Sequence, residues 1–89
     1  MAKSRRSPGR TVEVRVELKP GVLDAEATST ARALEMLGIR GISEVRIAKI
    51  YELRVSGVDS KEALHRASES VERLLANPVI HQVSVRELP

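Results

Sequence analysis

The sequence predicts an α+β fold, because two kinds of periodicity alternate along it. In some stretches every second residue is apolar, as in strands, and in two others apolar residues recur at helical spacings of three and four. A length of 89 residues fits one domain. The chain contains no Cys, Phe or Trp and one Tyr, so its core is aliphatic. Self-association commonly adds buried surface to such small domains, so we expect a symmetric oligomer.

The first strand and the first helix are predicted from Thr11 to Gly38. Charged residues alternate with Val12, Val14, Val16 and Leu18 before Lys19-Pro20-Gly21 breaks the strand pattern. Asp24 is a suitable N-cap, and Gly38 ends the helix. One side of this helix carries Ala27, Ala31, Leu34 and Leu37.

The middle of the chain allows two interpretations. Odd-numbered residues from Val45 to Val55 are mostly apolar, and charged residues lie between them. About fourteen residues are long for one strand, which favours a hairpin with Ala48-Lys49-Ile50 as its loop. A single long, bent strand is the alternative.

The second helix has the clearest start. Asp59 and Glu62 have the spacing of a capping box, and Asn77-Pro78 is expected to end the helix through a left-handed cap at Asn77. Its apolar stripe is Leu64, Ala67, Val71, Leu74 and Leu75, and a last strand carries Val79, Val83 and Val85. The resulting order, β-α-β-β-α-β, predicts a two-layer ferredoxin-like sandwich with two helices on one face of a four-stranded antiparallel sheet.

The positive charge is concentrated at the start of the chain. Residues 1–10 hold four basic residues and no acidic one, whereas residues 11–89 hold 11 basic and 12 acidic residues. We interpret residues 1–10 as a disordered basic leader and 11–89 as the single folded domain. Strand aromatics of the kind that stack on RNA bases are absent, so nucleic-acid binding is not favoured.

No self-contained active site is predicted. His65 and His81 are the only histidines, neither has an evident partner, and their spacing without cysteine matches no standard metal site. We therefore expect no catalytic, cofactor-binding or metal-binding residues in this chain. No apolar run approaches the roughly 18 to 20 residues of a membrane span, and there is no secretory signal pattern, so we expect a cytoplasmic protein.

Two segments resemble the PurS family: residues 14–24 (VRVELKPGVLD) and residues 74–80 (LLANPVI). Between them Ala33-Leu34, Leu37-Gly38, Val45-Arg46, Lys49 and Glu52-Leu53 fall at the family's spacing, so the resemblance covers essentially all of residues 11–87. The chain departs from the family in having Ala25-Glu26-Ala27 where Pro-Gln-Gly is common, and Ala48 where a glycine is common.

The resemblance implies the function of a small, non-catalytic subunit of phosphoribosylformylglycinamidine synthase, the ligase (amidotransferase) complex of purine biosynthesis. It implies a homodimer or dimer of dimers that joins the synthetase subunit (PurL) to the glutaminase subunit (PurQ) for ammonia transfer. ATP, magnesium and glutamine would be used by those partners, with no cofactor in this chain. The residues expected to contact the partners are Lys19, Pro20, Gly21, Arg46, Lys49, Asn77 and Pro78.

One alternative belongs to another functional class. Domains of the predicted fold also act as regulatory dimers that sense small molecules bound between adjacent copies. A ligand of that kind would raise the thermal stability of the isolated protein by mass action.

Overall fold

The computed structural model of the chain describes residues 9–89, which form three strands and two helices in the order β-α-β-α-β. The bounds are β1 Gly9–Leu18, α1 Ala25–Met36, β2 Ala48–Ser56, α2 Ser60–Ser70 and β3 His81–Glu87. One π-helical turn, Val71–Leu75, extends α2. Residues 1–8 of the predicted leader lie outside the described residues. Strand β1 begins at Gly9, two residues before the predicted domain start at Thr11.

The sheet is antiparallel throughout, as predicted, with β1 in its centre between β2 and β3. Val14 lies opposite Tyr51 on one side and Val85 on the other, whereas Glu13 lies opposite Glu52 and Arg86. Because directly opposed residues project to the same face, one face of the sheet is apolar and the other is charged.

Helix α2 covers the apolar face. Val12 and Val14 of β1 are completely buried, and so are Ala63 and Ala67 of α2, which belong to the same core cluster. The small alanine side chains let the helix approach the sheet closely, and Leu64, Val71 and Leu75 add partly buried surface around them. The predicted stripe is correct for these residues. The prediction is wrong for Leu74, because this side chain is 83% exposed in the π-helical turn.

The predicted fourth strand is absent from the described residues. Ala48-Lys49-Ile50, proposed as a hairpin loop, are instead the first residues of β2, paired with Glu17, Val16 and Arg15 of β1. Residues 41–47 have no regular secondary structure. The physical reason is that residues 48–50 are extended and paired with β1, so no turn folds the preceding residues back beside β2.

The prediction of two helices on one face is also wrong within the protomer. Helix α1 has no extended packing against a strand or against α2. Of its predicted apolar side, Ala27 is buried, Ala31 and Leu34 are half-buried, and Leu37 is 75% exposed. Helical periodicity correctly located this helix, but it does not determine which surface the apolar side covers.

Local signals located most of the helix ends. The Asp24 carboxylate accepts from the N–H of Ala27 at 3.0 Å, and the Asp59 carboxylate accepts from the N–H of Glu62 at 2.9 Å. Gly38, with φ of +81°, ends α1 as predicted. The prediction of a left-handed cap at Asn77 is wrong. No non-glycine residue in 9–89 has a positive φ, and Ala76 leaves the helix in an extended conformation.

We predict that Asp59→Ala lowers the free energy of unfolding by about 1 kcal/mol, because the first turn of α2 loses its N-cap and α2 is the helix that covers the sheet. The measurement is urea unfolding followed by circular dichroism. Asp59→Asn is the matched control, since its side-chain oxygen still accepts the bond. An equal loss in both variants would contradict the capping explanation.

Candidate protein-interaction site

The turn after β1 has a sequence-determined shape. The N–H of Val22 donates to the carbonyl of Lys19 at 3.1 Å, closing a four-residue turn with Pro20 and Gly21 in its centre. Gly21 has φ of +88°, as the third position of a type II turn requires, and proline is favoured at the second. A Cβ added at Gly21 would meet no atom within 4 Å. Backbone conformation, not lack of space, therefore favours glycine.

The connection between α2 and β3 is a second ordered turn. The Asn77 side-chain oxygen accepts from the N–H of Val79 at 2.9 Å, which is an Asx turn. The N–H of Asn77 donates to Nδ1 of His81 at 2.9 Å, and the carbonyl of Asn77 accepts from the N–H of His81 at 2.8 Å. His81 thus fixes the turn that carries Pro78, a structural role that sequence reasoning missed.

The two turns meet at one end of the sheet. The N–H of Lys19 donates to the carbonyl of Ile80 at 2.8 Å, just beyond the Leu18–His81 pair of β1 and β3. We call residues 19–21 and 77–80 the corner. A cavity of about 300 Å³ beside it is lined by Lys19, Val71, Glu72, Ala76, Pro78, His81 and Val83. Leu74 and Val79 are close in sequence to the residues that line this cavity, and they are 83% and 76% exposed. The corner therefore combines apolar surface with a polar rim.

Glu17 connects three parts of the chain on the charged face. Its carboxylate accepts from Nε2 of Gln82 in β3 at 3.0 Å and from Nη2 of Arg46 at 3.4 Å, and Nη2 of Arg15 lies 3.7 Å away. The predicted contact residue Arg46 is therefore held against its own protomer, although its side chain remains 59% exposed. This network holds the chain just before β2 against the end of β1.

The electrostatic environment of Glu17 favours its ionised form. The hydrogen bond from Gln82 is the largest cause that lowers the pKa of this carboxyl below its ordinary value of 4.5, and the positive charges of Arg15 and Arg46 act in the same direction. Partial desolvation opposes these effects without cancelling them. Glu17 therefore stays ionised at neutral pH.

Lys49 lies at the start of β2, opposite Val16 and on the face that α2 covers. Its side chain is exposed and lines a cavity of about 250 Å³ together with Asp24, Glu26, Leu75 and other residues. A lysine on the otherwise apolar face is accommodated because it sits at the sheet end, where its long side chain reaches solvent.

All seven predicted contact residues lie around this end of the sheet. Lys19, Pro20 and Gly21 line one cavity of about 240 Å³ with Arg46, which connects the corner to the chain before β2. The corner also contains Asn77 and Pro78, and Lys49 lies at the adjacent cavity. Their contacts with partner proteins stay a prediction. The predicted contact residues did not include five exposed apolar residues around α1: Leu23, Met36, Leu37, Ile39 and Ile42.

Two features of the described residues bear on other classes of function. In residues 9–89 no group of three or more His, Cys, Asp or Glu residues is placed to hold a metal ion. No helix in the same range is long and apolar enough to cross a membrane. The remaining features of this end of the sheet are ordered turns, exposed apolar side chains and charges, which suit contact with another protein.

Comparison with known proteins identifies the family. The family model described as PurS, phosphoribosylformylglycinamidine (FGAM) synthase, matches residues 11–88. The chain belongs to the PurS family. The PurS subunit of Archaeoglobus fulgidus is 37% identical over 73 residues, covering 82% of this chain and 91% of that one. The PurS subunit of Methanothermobacter thermautotrophicus is 40% identical over 80 residues, covering 86% and 93%.

Solved PurS structures share the fold. The crystal structure of Methanocaldococcus jannaschii PurS, described as a subunit of formylglycinamide ribonucleotide amidotransferase, has a TM-score of 0.80 at 30% identity and covers 89% of this chain and 95% of that one. The structure of PurLQS from Thermotoga maritima contains a chain with a TM-score of 0.82 at 26% identity, covering 91% and 99%. The resemblance predicted from residues 14–24 and 74–80 is thereby confirmed.

We predict that Glu17→Gln lowers stability at pH 7 but not at acidic pH. A carboxyl whose pKa is lowered by folding contributes stability above its unfolded pKa, and that contribution is lost as pH falls through the folded pKa, below 4.5. The urea midpoints of wild type and variant should therefore differ at pH 7 and converge as the pH falls through the folded pKa. Glu35→Gln, an exposed change on α1, is the control. A gap that persists at low pH would contradict the assignment.

Proposed function

We propose that this chain is the small bridging subunit of phosphoribosylformylglycinamidine synthase in purine biosynthesis, joining the synthetase and glutaminase subunits so that ammonia passes between them. The observation that carries the proposal is the match to a chain of PurLQS, a complex of three kinds of subunit, over 91% of this chain. The corner supports it, because it brings the predicted contact residues to one end of the sheet.

The division of chemistry within the complex follows from the same proposal. ATP, magnesium and glutamine would be used by the partner subunits, and this chain would supply contacts rather than reacting groups. The complex acts on metabolites of purine synthesis, so we place it in the cytoplasm.

The bridging unit is proposed to be a homodimer. Within residues 9–89 the protomer is a three-stranded antiparallel sheet with one helix packed on it and one helix without extended packing against it. Exposed apolar residues around α1, such as Met36 at 81% and Leu37 at 75%, support association, because such surfaces gain free energy when they leave water. The alternative function, a small-molecule-sensing dimer, is less favoured, since the matched relatives are all named as PurS subunits.

The experiment that tests the function is glutamine-dependent amidine formation by the matching synthetase and glutaminase subunits, with and without this protein. Light scattering of the same mixtures measures assembly. Strong dependence on this protein together with one co-eluting complex is the expected result. Full activity in its absence, with no complex formed, would overturn the bridging function and favour a screen for small ligands by thermal stability.

We predict that Lys19→Glu weakens association with the partner subunits at least fivefold, or about 1 kcal/mol, because it reverses the charge at the rim of the corner. Titration of the labelled variant with the partners measures the change. Lys61→Glu is the matched control: it makes the same charge change in the first turn of α2, the end of the helix remote from the corner. If both variants bind like wild type, the corner is not a contact surface.

A further inference from the structure

One titratable side chain holds the turn that carries Pro78. Nδ1 of His81 accepts a hydrogen bond from the N–H of Asn77 at 2.9 Å. A nitrogen that accepts needs a free lone pair, so the ring in this arrangement is neutral and carries its single proton on Nε2. The corner contains Asn77 and Pro78, and its shape is therefore tied to the protonation state of His81.

Protonation of His81 and the bond from Asn77 exclude each other. An imidazolium ring carries a hydrogen on both nitrogens and can only donate. With the ring protonated, two N–H groups would point at each other across 2.9 Å. Turning the ring over does not help, because Nε2 carries a hydrogen in the charged form as well. The gain of one proton therefore breaks the contact between the ring and the turn.

The other bonds of the turn do not replace this one. From residue 76 to 81 every N–H has an acceptor, and Pro78 has no N–H to satisfy. The carbonyl of Asn77 accepts from Ile80 and His81 at 3.1 and 2.8 Å, and its side-chain oxygen accepts from Val79. The bonds that remain after protonation thus use acceptors of Asn77, and its N–H is left to water.

The turn is coupled to the rest of the corner through the start of β3. The N–H groups of Ile80 and His81 both bond to Asn77, and the carbonyl of Ile80 accepts from the N–H of Lys19 at 2.8 Å. The ring of His81 lies between the two halves, since it lines the cavity of about 300 Å³ together with Lys19 and Pro78. Release of Asn77 therefore loosens the segment that positions the Lys19-Pro20-Gly21 turn.

We propose that His81 makes the corner sensitive to protons: the neutral ring latches the turn in the shape that the partner subunits recognise, and the protonated ring releases it. Histidine is the side chain that changes charge between about pH 5 and 8, and His81 is half-buried, so protons from solvent reach its ring. Association with the synthetase and glutaminase subunits therefore weakens as the ring gains its proton. This inference rests on the proposed function and adds regulation to its contact surface.

Charged groups from several elements line the two cavities that His81 also lines. The acidic ones are Glu17 of β1, Asp24 and Glu26 at the start of α1, and Glu72 of the π-helical turn, and the basic ones are Lys19 after β1 and Lys49 of β2. Substitution of His81 leaves all of them in place. A pH response that they cause therefore persists in a variant without the ring, and the difference between that variant and wild type belongs to His81.

Two substitutions separate the hydrogen bond from the charge. Asparagine stays neutral, and its side-chain oxygen is bonded to Cγ as Nδ1 is, so His81→Asn keeps an acceptor for the N–H of Asn77. Glutamine carries its oxygen one atom further from the backbone, at the distance of Nε2, so His81→Gln takes the acceptor away. Neither variant introduces a charge at the first residue of β3.

The latch is tested first in the full chain without partners. NMR follows the ring nitrogens of His81 and the amide of Asn77 through an acid titration, with His65, which is exposed on α2, as the internal reference. We expect the Asn77 amide to lose its hydrogen-bonded chemical shift in step with the titration of His81. In His81→Asn the same amide should not change. An Asn77 amide that does not respond while the His81 ring titrates would overturn the latch.

Partner association is measured next, by titrating the labelled full chain with the matching synthetase and glutaminase subunits on either side of the His81 titration. Wild type should bind about fivefold more weakly on the acidic side, beyond any change seen in His81→Asn. At neutral pH, His81→Gln should bind about fivefold more weakly than His81→Asn, because it lacks the acceptor. An equal pH dependence in wild type and His81→Asn would overturn the proposal.

Failure of the latch and failure of the bridging function give different results. If the Asn77 amide follows His81 but no partner binds at any pH, and amidine forms equally well without this protein, the latch stands and the bridging function fails. If amidine formation requires this protein but the Asn77 amide ignores the His81 titration, the function stands and the latch fails.

Discussion

The close packing of α2 on β1 is the contact on which the rest of the protomer depends. Val12 and Val14 are completely buried beneath Ala63 and Ala67, and the side chains around them are partly exposed. With one tyrosine and no larger aromatic residue, the core gains little from any single side chain, so it depends on close approach of small ones. Loss of this contact would separate the central strand from the helix that covers it.

The position of β1 also explains why the protomer looks incomplete. A central strand of ten residues sets the length over which its neighbours can pair, and the chain before β2 continues beyond it. Helix α1 follows the same end of β1 after a turn with Pro20 and Gly21 in its centre, and it has no extended packing against the sheet. Apolar side chains that a self-sufficient domain would bury are left exposed, as expected of a subunit that works by assembly.

Charge organises the surface where assembly is proposed. Glu17 holds β1, β3 and the chain before β2 together through one carboxylate, and its lowered pKa keeps that carboxylate ionised at neutral pH. The corner lies at the same sheet end, with Lys19, Glu72 and His81 around a partly apolar cavity. An ordered polar rim around apolar surface is the usual composition of a protein interface.

The sequence by itself determined the local elements and the family. Period-two alternation located β1, the aspartate caps located both helix starts, Gly38 located the end of α1, and residues 14–24 and 74–80 identified the PurS family. These features could be predicted because each depends on backbone conformation or hydrogen bonds within a few residues. The corner could be predicted only in part: its residues were named from the resemblance, and the sequence did not show that Lys19 bonds to Ile80.

Tertiary structure decided what those elements contact. Alternation from Val45 to Val55 is the same whether the segment forms a hairpin or one strand, and only the pairing of residues 48–50 with β1 excluded the hairpin. The apolar side of α1 had the same appearance as that of α2, yet one helix covers the sheet and the other does not. The bond from Asn77 to Nδ1 of His81 replaced the predicted left-handed cap. In each case the deciding partner is distant in sequence or lies in a turn whose geometry depends on side chains, so periodicity carries no information about it.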